Sequence, residues 1–352
     1  MVRRCLTWLA LSAIFAAGCG SDSSSSAGKP AGQSAAAGHV VWGITASVPW
    51  LVGLDARSLE EVSAVQVADG ATRVLAFDVA EGSAWIGRND GFVVGVDLAT
   101  ESIVAEVDLT GFSSSGQAVQ AATVAIGNDF VYSEAMGEAG PPVVAIDRST
   151  HAATSNPELL DPLSWITSMH QDGAALWVAT SSSVCLVKAD LQTLESLGVA
   201  MVEGGDTELG GSCYMAEVGS AVWVFETDAR RLYRVDKDSL EATVTDDLSD
   251  LTDFEAYFEV HANPTSVFLM LTEEQVIHRF DGASGARLHT YDFAPYGGIR
   301  TMAAAGDALY VITNEPGKKE LLEVDIETGE TTRSIEATSW TDAIVVQEEQ
   351  GP

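Results

Sequence analysis

Residues 324 to 330, Val324-Asp325-Ile326-Glu327-Thr328-Gly329-Glu330, contain the motif that decides the fold. In this motif an apolar run ends in an aspartate, and a serine or threonine follows three residues later. The motif occurs seven times, and its aspartates are Asp55, Asp97, Asp147, Asp190, Asp236, Asp281 and Asp325. Successive aspartates are 42, 50, 43, 46, 45 and 44 residues apart. A period of this length indicates that one small unit of structure is repeated seven times.

The polar pair of the motif suits a tight turn between two strands. An aspartate carboxylate can accept hydrogen bonds from backbone N–H groups two or three residues later, and a serine or threonine hydroxyl does the same more weakly. In the last two copies Gly285 and Gly329 follow the hydroxyl residue, and glycine tolerates a positive φ angle. We therefore predict that one strand ends at each aspartate and that another begins after each turn.

A second element precedes most copies of the motif, namely a turn residue followed by apolar residues around an aromatic. Gly82-Ser83-Ala84-Trp85-Ile86 is a clear example, whereas Asn128-Asp129-Phe130-Val131-Tyr132 is out of register by about one residue. Such short runs are typical of strands. With the runs on either side, each repeat predicts four strands, which is typical of a β-propeller blade. The predicted fold is an all-β, seven-bladed β-propeller; a solenoid is the alternative, but it would need capping ends.

The two ends of the repeat region predict that the ring is closed. The first apolar run, Val40-Val41-Trp42-Gly43-Ile44, aligns with the second strand of a blade, so the first blade lacks its own first strand. The last run, Thr341-Asp342-Ala343-Ile344-Val345-Val346, follows the final repeat and occupies a first-strand position. The C-terminal strand can therefore complete the N-terminal blade, which removes two exposed sheet edges.

The copy at residues 324 to 330 and its degenerate relatives resemble the repeats of the YVTN and quinoprotein-like propellers. The resemblance covers nearly all of residues 39–347. It implies the fold but no single activity, because these propellers include enzymes, binding proteins and scaffolds. Related pyrroloquinoline-quinone dehydrogenases carry tryptophan docking motifs and a calcium site. Neither can be placed in this sequence, so we predict no cofactor.

The N-terminus is expected to be a processing signal. Arg3 and Arg4 precede an apolar run at residues 6–17 that is too short to span a bilayer. The following Ala16-Ala17-Gly18-Cys19 resembles the lipobox of bacterial lipoproteins, with Ala16 in place of the usual leucine. The resemblance implies a signal peptide at 1–18, a lipid on Cys19 and, in a diderm cell, sorting to the outer membrane. A cleaved signal with an incidental cysteine is the alternative.

The remaining boundaries follow from composition. Residues 20–38 contain no large apolar side chain, so we predict a flexible tether at 19–38 that holds a folded domain near a membrane. The propeller is predicted at 39–347 and a short tail at 348–352. The predicted location is the cell envelope, after export from the cytoplasm.

The charge of the chain restricts its partners. The sequence has 18 Lys and Arg against 51 Asp and Glu, a formal net charge of −33. Such a surface should repel nucleic acids and anionic lipid headgroups, and we predict a monomer. Of the four cysteines, Cys185 and Cys213 remain in the predicted domain. In an oxidising compartment they form either a disulfide or two buried thiols.

No catalytic motif is recognisable in the sequence, and two histidines are the only weak candidates for a metal site. His170 and His261 occupy equivalent positions on predicted inner strands, where other blades have Asp78, Val124, Ala216 and Ala303. The virginiamycin B lyase family, another seven-bladed propeller, uses histidine and acidic residues around a metal. Hydrogen-bonded packing histidines are the alternative, and the variety at this position favours it.

The connections between blades supply candidate ligand-binding residues, since propeller ligands usually lie where these loops converge. The candidates are arginines and aromatic residues, which suit an anionic or sugar-like ligand or a protein hot spot. They are Arg73, Trp165, Tyr214, Tyr257, Tyr296, Arg300 and Trp340. Packing of the loop bases and pairing with nearby acids is the alternative role for each.

These observations favour one function and leave others open. The favoured hypothesis is a lipid-anchored binding or scaffold protein that engages a protein or polymer partner through a loop face of the propeller. The alternatives are a metal-dependent lyase or hydrolase, and a small-molecule sensor that uses Arg73 and Arg300. Both alternatives would place their site at the mouth of the axial channel.

Overall fold

A computed structural model describes residues 40–45, 48–69, 72–112, 119–136, 142–160, 164–181, 185–202, 212–248, 258–314, 318–337 and 342–347. The predicted signal peptide, Cys19, the tether and the tail at 348–352 lie outside the described residues, as do Tyr257 and Trp340. Helical structure in the described part is limited to two 3-10 turns, Thr110–Phe112 and Ala294–Tyr296. None of the described helices is long and apolar enough to be a membrane span.

The described residues form seven four-stranded antiparallel sheets arranged in a ring, so the predicted seven-bladed propeller is confirmed. Blade 1 contains β1 (Val40–Thr45), β2 (Val48–Asp55), β3 (Glu61–Gln66) and the closing strand β28 (Ala343–Gln347). Blade 2 contains β4 (Val74–Ala80), β5 (Ser83–Arg88), β6 (Phe92–Asp97) and β7 (Ser102–Asp108); blade 3 contains β8 (Gln120–Ile126), β9 (Phe130–Met136), β10 (Val143–Asp147) and β11 (Ala153–Asn156); and blade 4 contains β12 (Ile166–Gln171), β13 (Leu176–Thr180), β14 (Leu186–Ala189) and β15 (Ser196–Ala200). Blade 5 contains β16 (Cys213–Val218), β17 (Ala221–Glu226), β18 (Arg231–Asp236) and β19 (Ala242–Asp247); blade 6 contains β20 (Phe258–Ala262), β21 (Ser266–Leu271), β22 (Val276–Asp281) and β23 (Arg287–Asp292); and blade 7 contains β24 (Ile299–Ala305), β25 (Ala308–Thr313), β26 (Glu320–Asp325) and β27 (Thr331–Glu336).

Each blade has an inner strand, two middle strands and an outer strand. The inner strand of every blade contacts the inner strands of its two neighbours around the ring axis. The connections fall on two ends of the propeller. We call the end with the inner-to-middle and middle-to-outer turns the turn face. The end with the connections between the two middle strands and between successive blades is the loop face.

Blade 1 is closed by both ends of the chain, as predicted. Strand β28 pairs antiparallel with β1, from Val40 opposite Gln347 to Ile44 opposite Ala343. The Trp42 indole Nε1 donates to Gln347 Oε1 at 3.0 Å, and the backbone N–H of Asp342 donates to the Ile44 carbonyl at 3.0 Å. The pairing leaves β1 covered on both edges, because β2 occupies its other side.

The seven turn motifs adopt one geometry. At every copy the aspartate Oδ1 accepts the backbone N–H of the residue three positions later, at 2.7–2.9 Å. Hydroxyl groups add further hydrogen bonds, as from Thr328 Oγ1 to Asp325 at 2.8 Å. These donors stabilise the charged form, so the pKa of all seven carboxyls is lowered; that of Asp147 falls to about 2, chiefly through the Ser149 hydroxyl.

The residue that follows each turn hydroxyl has a left-handed backbone in all seven copies. Glycine was expected to serve this purpose at Gly285 and Gly329, and their φ angles are 77° and 74°. The other five copies use non-glycine residues with φ between 53° and 61°, namely Leu59, Glu101, His151, Leu194 and Leu240. Hydrogen bonds to the aspartate fix the turn, and they outweigh the preference of these non-glycine residues for a right-handed backbone.

The hydrophobic core is divided among the seven interfaces between neighbouring blades. One apolar cluster lies at each interface, and the cluster that joins blade 7 to blade 1 includes Tyr310, Val41 and Ile344. The strand-borne aromatics fill these clusters, and Trp177 and Trp223 are fully buried. A single blade has two apolar faces, so only a closed ring buries both faces of every blade.

Candidate functional site

An axial cavity of about 490 Å³ lies at the centre of the ring. All seven inner strands contribute to its wall. Aromatic and sulfur-containing side chains, including Phe77, Met215 and Phe258, line part of it. Histidines and carboxylates line another part. Its volume falls within the range of small-molecule pockets.

Cross-strand pairing defines one equivalent wall position in every blade, opposite the aromatic residue of the second strand. The residues at this position are Asp78, Ala125, His170, Ala216, His261, Ala303 and Val345. The sequence alignment had placed Val124 in this set; by pairing, Ala125 holds the position, whereas Val124 is the residue of β8 that lines the cavity. A bulge between Ala121 and Val124 shifts the register of β8, so Ala125 pairs with Tyr132.

Three polar residues of the wall hold the ring together. Each accepts a backbone N–H from the inner strand of the next blade: Asp78 from Ile126 at 2.9 Å, Ser168 from Met215 at 3.3 Å, and Glu259 from Met302 at 3.0 Å. An inner strand has free donors on its axial edge, and these side chains satisfy some of them. Burial raises the pKa of Asp78 despite the two backbone donors.

His170 belongs to an ionic cluster between blades 4 and 5. Its Nε2 lies 2.7 Å from Glu217 Oε2, and Lys237 Nζ pairs with the other oxygen of Glu217 and with Asp172 Oδ2, the latter at 3.2 Å. Burial raises the pKa of Glu217. The hydrogen bonds from His170 and Lys237 outweigh this effect, so the pKa lies below its usual value. The cluster links two blades, through the His170–Glu217 and Lys237–Asp172 contacts.

His261 lies two residues from Glu259 on β20, with its Nε2 3.5 Å from Glu259 Oε2. The glutamate is already engaged by Thr301 Oγ1 at 3.1 Å and by the backbone of Met302. Among the described residues no group of three or more His, Cys, Asp or Glu side chains is arranged to hold a metal ion. Each histidine therefore has a nearby carboxylate but no metal-binding cluster around it.

Glu134 is a buried carboxyl that no pattern in the sequence singles out. It lies on β9 with 1% of its surface exposed. Its Oε2 accepts the Thr123 hydroxyl at 3.5 Å, while Oε1 has no hydrogen-bond partner in the described structure. Burial raises the pKa of Glu134 to about 8. Thr123 belongs to the bulge of β8, so the irregular inner strand and the buried acid occur together.

The predicted ligand-binding residues do not converge on one pocket. Tyr214 lines the axial cavity, but Arg73 and Arg300 are not among its lining residues. Arg300 pairs with Asp342, and the side chain of Arg73 is exposed. Tyr296 shares a 3.0 Å hydrogen bond with Thr331. An anion pocket built on both arginines is therefore absent from the described part of the cavity wall.

Trp165 is the most exposed of the aromatic candidates in the described structure. Half of its surface is accessible, and it lies just before β12 on the loop face. Its backbone N–H is held by Ser181 Oγ at 3.2 Å, and its carbonyl accepts the Ser181 N–H at 2.8 Å. The backbone of Trp165 is thus fixed while its indole remains accessible.

Cys185 and Cys213 form a disulfide between blades 4 and 5, with their Cα atoms 5.7 Å apart. Cys213 begins inner strand β16, and Cys185 directly precedes β14. The sequence left a disulfide and two buried thiols open, and the structure has the disulfide. It links the same pair of blades as the His170 cluster.

Comparison with known proteins supports the fold and no particular activity. No family model and no curated protein sequence matches the chain. A functionally unknown protein from Desulfotomaculum acetoxidans is similar in structure, with a TM-score of 0.64, 11% identity and coverage of 88% of this chain and 99% of that one. The computationally designed Ika8 protein has a TM-score of 0.60 and 14% identity, with coverage of 86% of this chain and 86% of that one. BamB from Moraxella catarrhalis has a TM-score of 0.55 and 12% identity, with coverage of 88% of this chain and 85% of that one.

Proposed function

We propose that the protein is a lipid-anchored binding or scaffold protein of the cell envelope, and that its loop face engages a protein or polymer partner. The observation that carries this proposal is where the chain joins the ring. Val40, the first described residue, pairs with Gln347 and Asp55 at the turn-face end of blade 1. A segment that precedes Val40 therefore joins the propeller at the turn face, and its point of attachment does not occupy the loop face.

The chemistry of the two faces supports the same assignment. The aspartates of the turn face are already hydrogen-bonded within their own turns, as Asp236 is to Ser239. The loop face instead presents large apolar side chains, with Trp165 50% and Leu75 40% exposed. Tryptophan is among the residues that contribute most to protein interfaces. The loop face is therefore the better candidate for a contact surface.

Site-specific photocrosslinking tests the loop face. Benzoylphenylalanine is placed at Trp165 and, as a matched control, at Asp238, which is exposed on the turn face. Irradiation of intact cells is expected to give a discrete adduct from position 165 and none from position 238. The same adduct from both positions, or none from position 165, would reject the loop face as the contact surface.

Membrane fractionation tests the anchor separately. Replacement of Cys19 by Ala removes the proposed lipid acceptor, so the protein should move from the membrane to the soluble fraction. The matched control is Cys5→Ala, within the proposed signal peptide, which should leave the protein with the membrane. Retention of the Cys19→Ala variant in membranes would show that another feature holds it there.

A further inference from the structure

The outer strand of blade 4 is an unprotected, apolar sheet edge. Strand β15 contains no charged residue. Three large apolar side chains on it or just beyond it are exposed: Leu197 by 54%, Val199 by 45% and Met201 by 57%. An edge of this kind is a template for pairing with another strand unless charge, proline or a cover blocks it.

The other outer strands of the described structure differ from β15. None has more than two large exposed apolar residues on it or just beyond it, and Ile103 and Val104 on β7 are the nearest case. Five of the six also carry charged residues, as β7 does with Glu106 and Asp108. The sixth, β11, has only four residues and no large apolar side chain. The charge that protects the other edges is therefore missing where apolar exposure is greatest.

Strand β14 pairs with the inner edge of β15, and within the described part of the chain no strand lies on its outer edge. Leu240 of blade 5 packs against Gly198, where a Cβ atom would collide with it. This contact anchors the middle of the strand to the neighbouring blade, so the edge is held in place without the help of a partner.

Charge identifies the class of occupant. Residues 190–202, which include β15, contain the acidic residues Asp190 and Glu195 and no basic residue. The whole chain carries −33, which disfavours a second copy of the chain and an anionic lipid surface. We propose that β15 is a docking edge for an extended segment of a partner protein, with apolar residues at its centre and lysine or arginine at its ends. The segment would add to the sheet as a fifth strand.

Leu197 and Val199 belong to an outer strand and not to the loop face, so the two proposals can fail independently. Photocrosslinking at Trp165 reports on the loop face, whereas substitutions on β15 report on the edge. A partner that used only one of the two surfaces would give a positive result in one experiment and a negative result in the other.

The test uses a fluorescein-labelled probe peptide with a central Val-Thr-Val-Thr-Val run and two lysines at each end. Its fluorescence anisotropy is measured against the purified propeller-containing chain at low salt. Val199→Lys places a charge on the edge, and Ile103→Lys places one at a similarly exposed position on β7, where Ile103 is 49% exposed. We expect saturable binding that falls at least tenfold in Val199→Lys and less than twofold in Ile103→Lys. A peptide with glutamates at its ends should bind at least tenfold more weakly.

Several results would overturn the proposal. These are no saturable binding of the lysine peptide, an equal loss in both variants, or equal binding of the glutamate peptide. Sedimentation analysis adds a further one: if the wild type is a dimer and Val199→Lys a monomer, the occupant is a second copy instead. Circular dichroism and thermal melting check that the variants are folded, and Met201→Thr replaces Val199→Lys if the latter is not.

Discussion

The turn aspartates and the inner-strand wall positions each occur seven times at equivalent places in the ring, yet only the aspartates are uniform. Every turn uses the same carboxylate and the same hydrogen bond. The wall positions hold an aspartate, two histidines, three alanines and a valine. Each turn needs a partner for its own backbone N–H groups, and an aspartate carboxylate supplies it, so the same residue occurs at every turn.

The inner strands have a requirement that depends on their neighbours. Asp78, Ser168 and Glu259 satisfy backbone donors of the next blade. Between blades 4 and 5, His170 also contacts Glu217 and Lys237 contacts Asp172. These interfaces use different side chains. The turn aspartates, which are the same in every blade, therefore reveal the repeat architecture. The inner-strand positions, which vary from blade to blade, carry the properties specific to this protein.

The largest expected effect comes from removing β28, the inner strand of blade 1. Deletion of residues 342–352 removes β28, exposes the edge of β1 and opens the cluster around buried Ile344. Melting, followed by circular dichroism, should shift down by more than about 10 °C, or the chain should fail to fold. Deletion of residues 348–352 alone is the control and should change the Tm by less than about 1 °C. An unchanged Tm in the longer deletion would contradict closure by the C-terminal strand.

The next effect concerns the irregular inner strand of blade 3. The pKa of Glu134 is about 8 in the folded protein, above its ordinary value of 4.5. The folded state therefore binds the proton more tightly, and the contribution of Glu134 to stability is lost as the pH rises from about 4.5 to 8. Glu134→Gln removes this loss. The free energy of unfolding of the variant, relative to that of wild type, should therefore rise by about 1–3 kcal/mol between pH 5 and pH 8.5.

Urea unfolding at several pH values measures this gain. Glu330→Gln, at an exposed position, is the matched control and should show no such change with pH. The absolute stability of Glu134→Gln at pH 5 can lie on either side of wild type, because the amide also lacks partners. A gain that did not grow with pH would contradict the buried, proton-binding state of Glu134.

A smaller effect is expected from one turn aspartate. The pKa of Asp147 falls to about 2, first through the hydroxyl of Ser149 and then through the backbone N–H of Thr150. The stabilisation is present above the ordinary pKa of 3.8 and is lost as the pH falls through the folded value. Asp147→Ala should lower the Tm by a few °C at pH 7, and the difference from wild type should shrink between pH 4 and pH 2. A difference independent of pH would show that the carboxylate is not the stabilising group.

The smallest effect is expected at a varied wall position. His261 is 32% exposed, and Glu259 keeps its contacts with Thr301 and Met302 without it. His261→Ala should therefore change the Tm by less than about 1 °C at pH 7. A loss as large as that of Asp147→Ala would mean that a varied wall position contributes as much to stability as a uniform turn aspartate.

Much of the architecture could be predicted because it rests on local chemistry. The Asp and Ser or Thr pairs each satisfy their own turn, so their spacing predicted seven blades, and the apolar runs at the two ends of the repeat region predicted the closing strand. The five left-handed non-glycine residues, such as Leu240, could not be foreseen from local preference. Their conformation is imposed by the aspartate four residues earlier.

The candidate site was harder to predict because its geometry depends on contacts between distant residues. The bulge of β8 displaced Val124 by one position, and nothing in the sequence marked Lys237 as the partner of Glu217. Arg73 and Arg300 stood out by their rarity, but Arg300 pairs with Asp342 instead of forming a pocket with Arg73. The exposed β15 was visible only once the sheet order was known, although its lack of charge was a usable signal.

The closing strand also sets the order in which the molecule can be completed. Blades 2 to 7 are each made from one continuous piece of chain and can form as soon as that piece is available. Blade 1 needs residues 40–66 together with residues 343–347, at opposite ends of the domain. During synthesis the partly built ring therefore waits with two unsealed blade faces, one in blade 1 and one in the newest blade. Only residues 343–347, which follow all the other blades in the chain, can seal them.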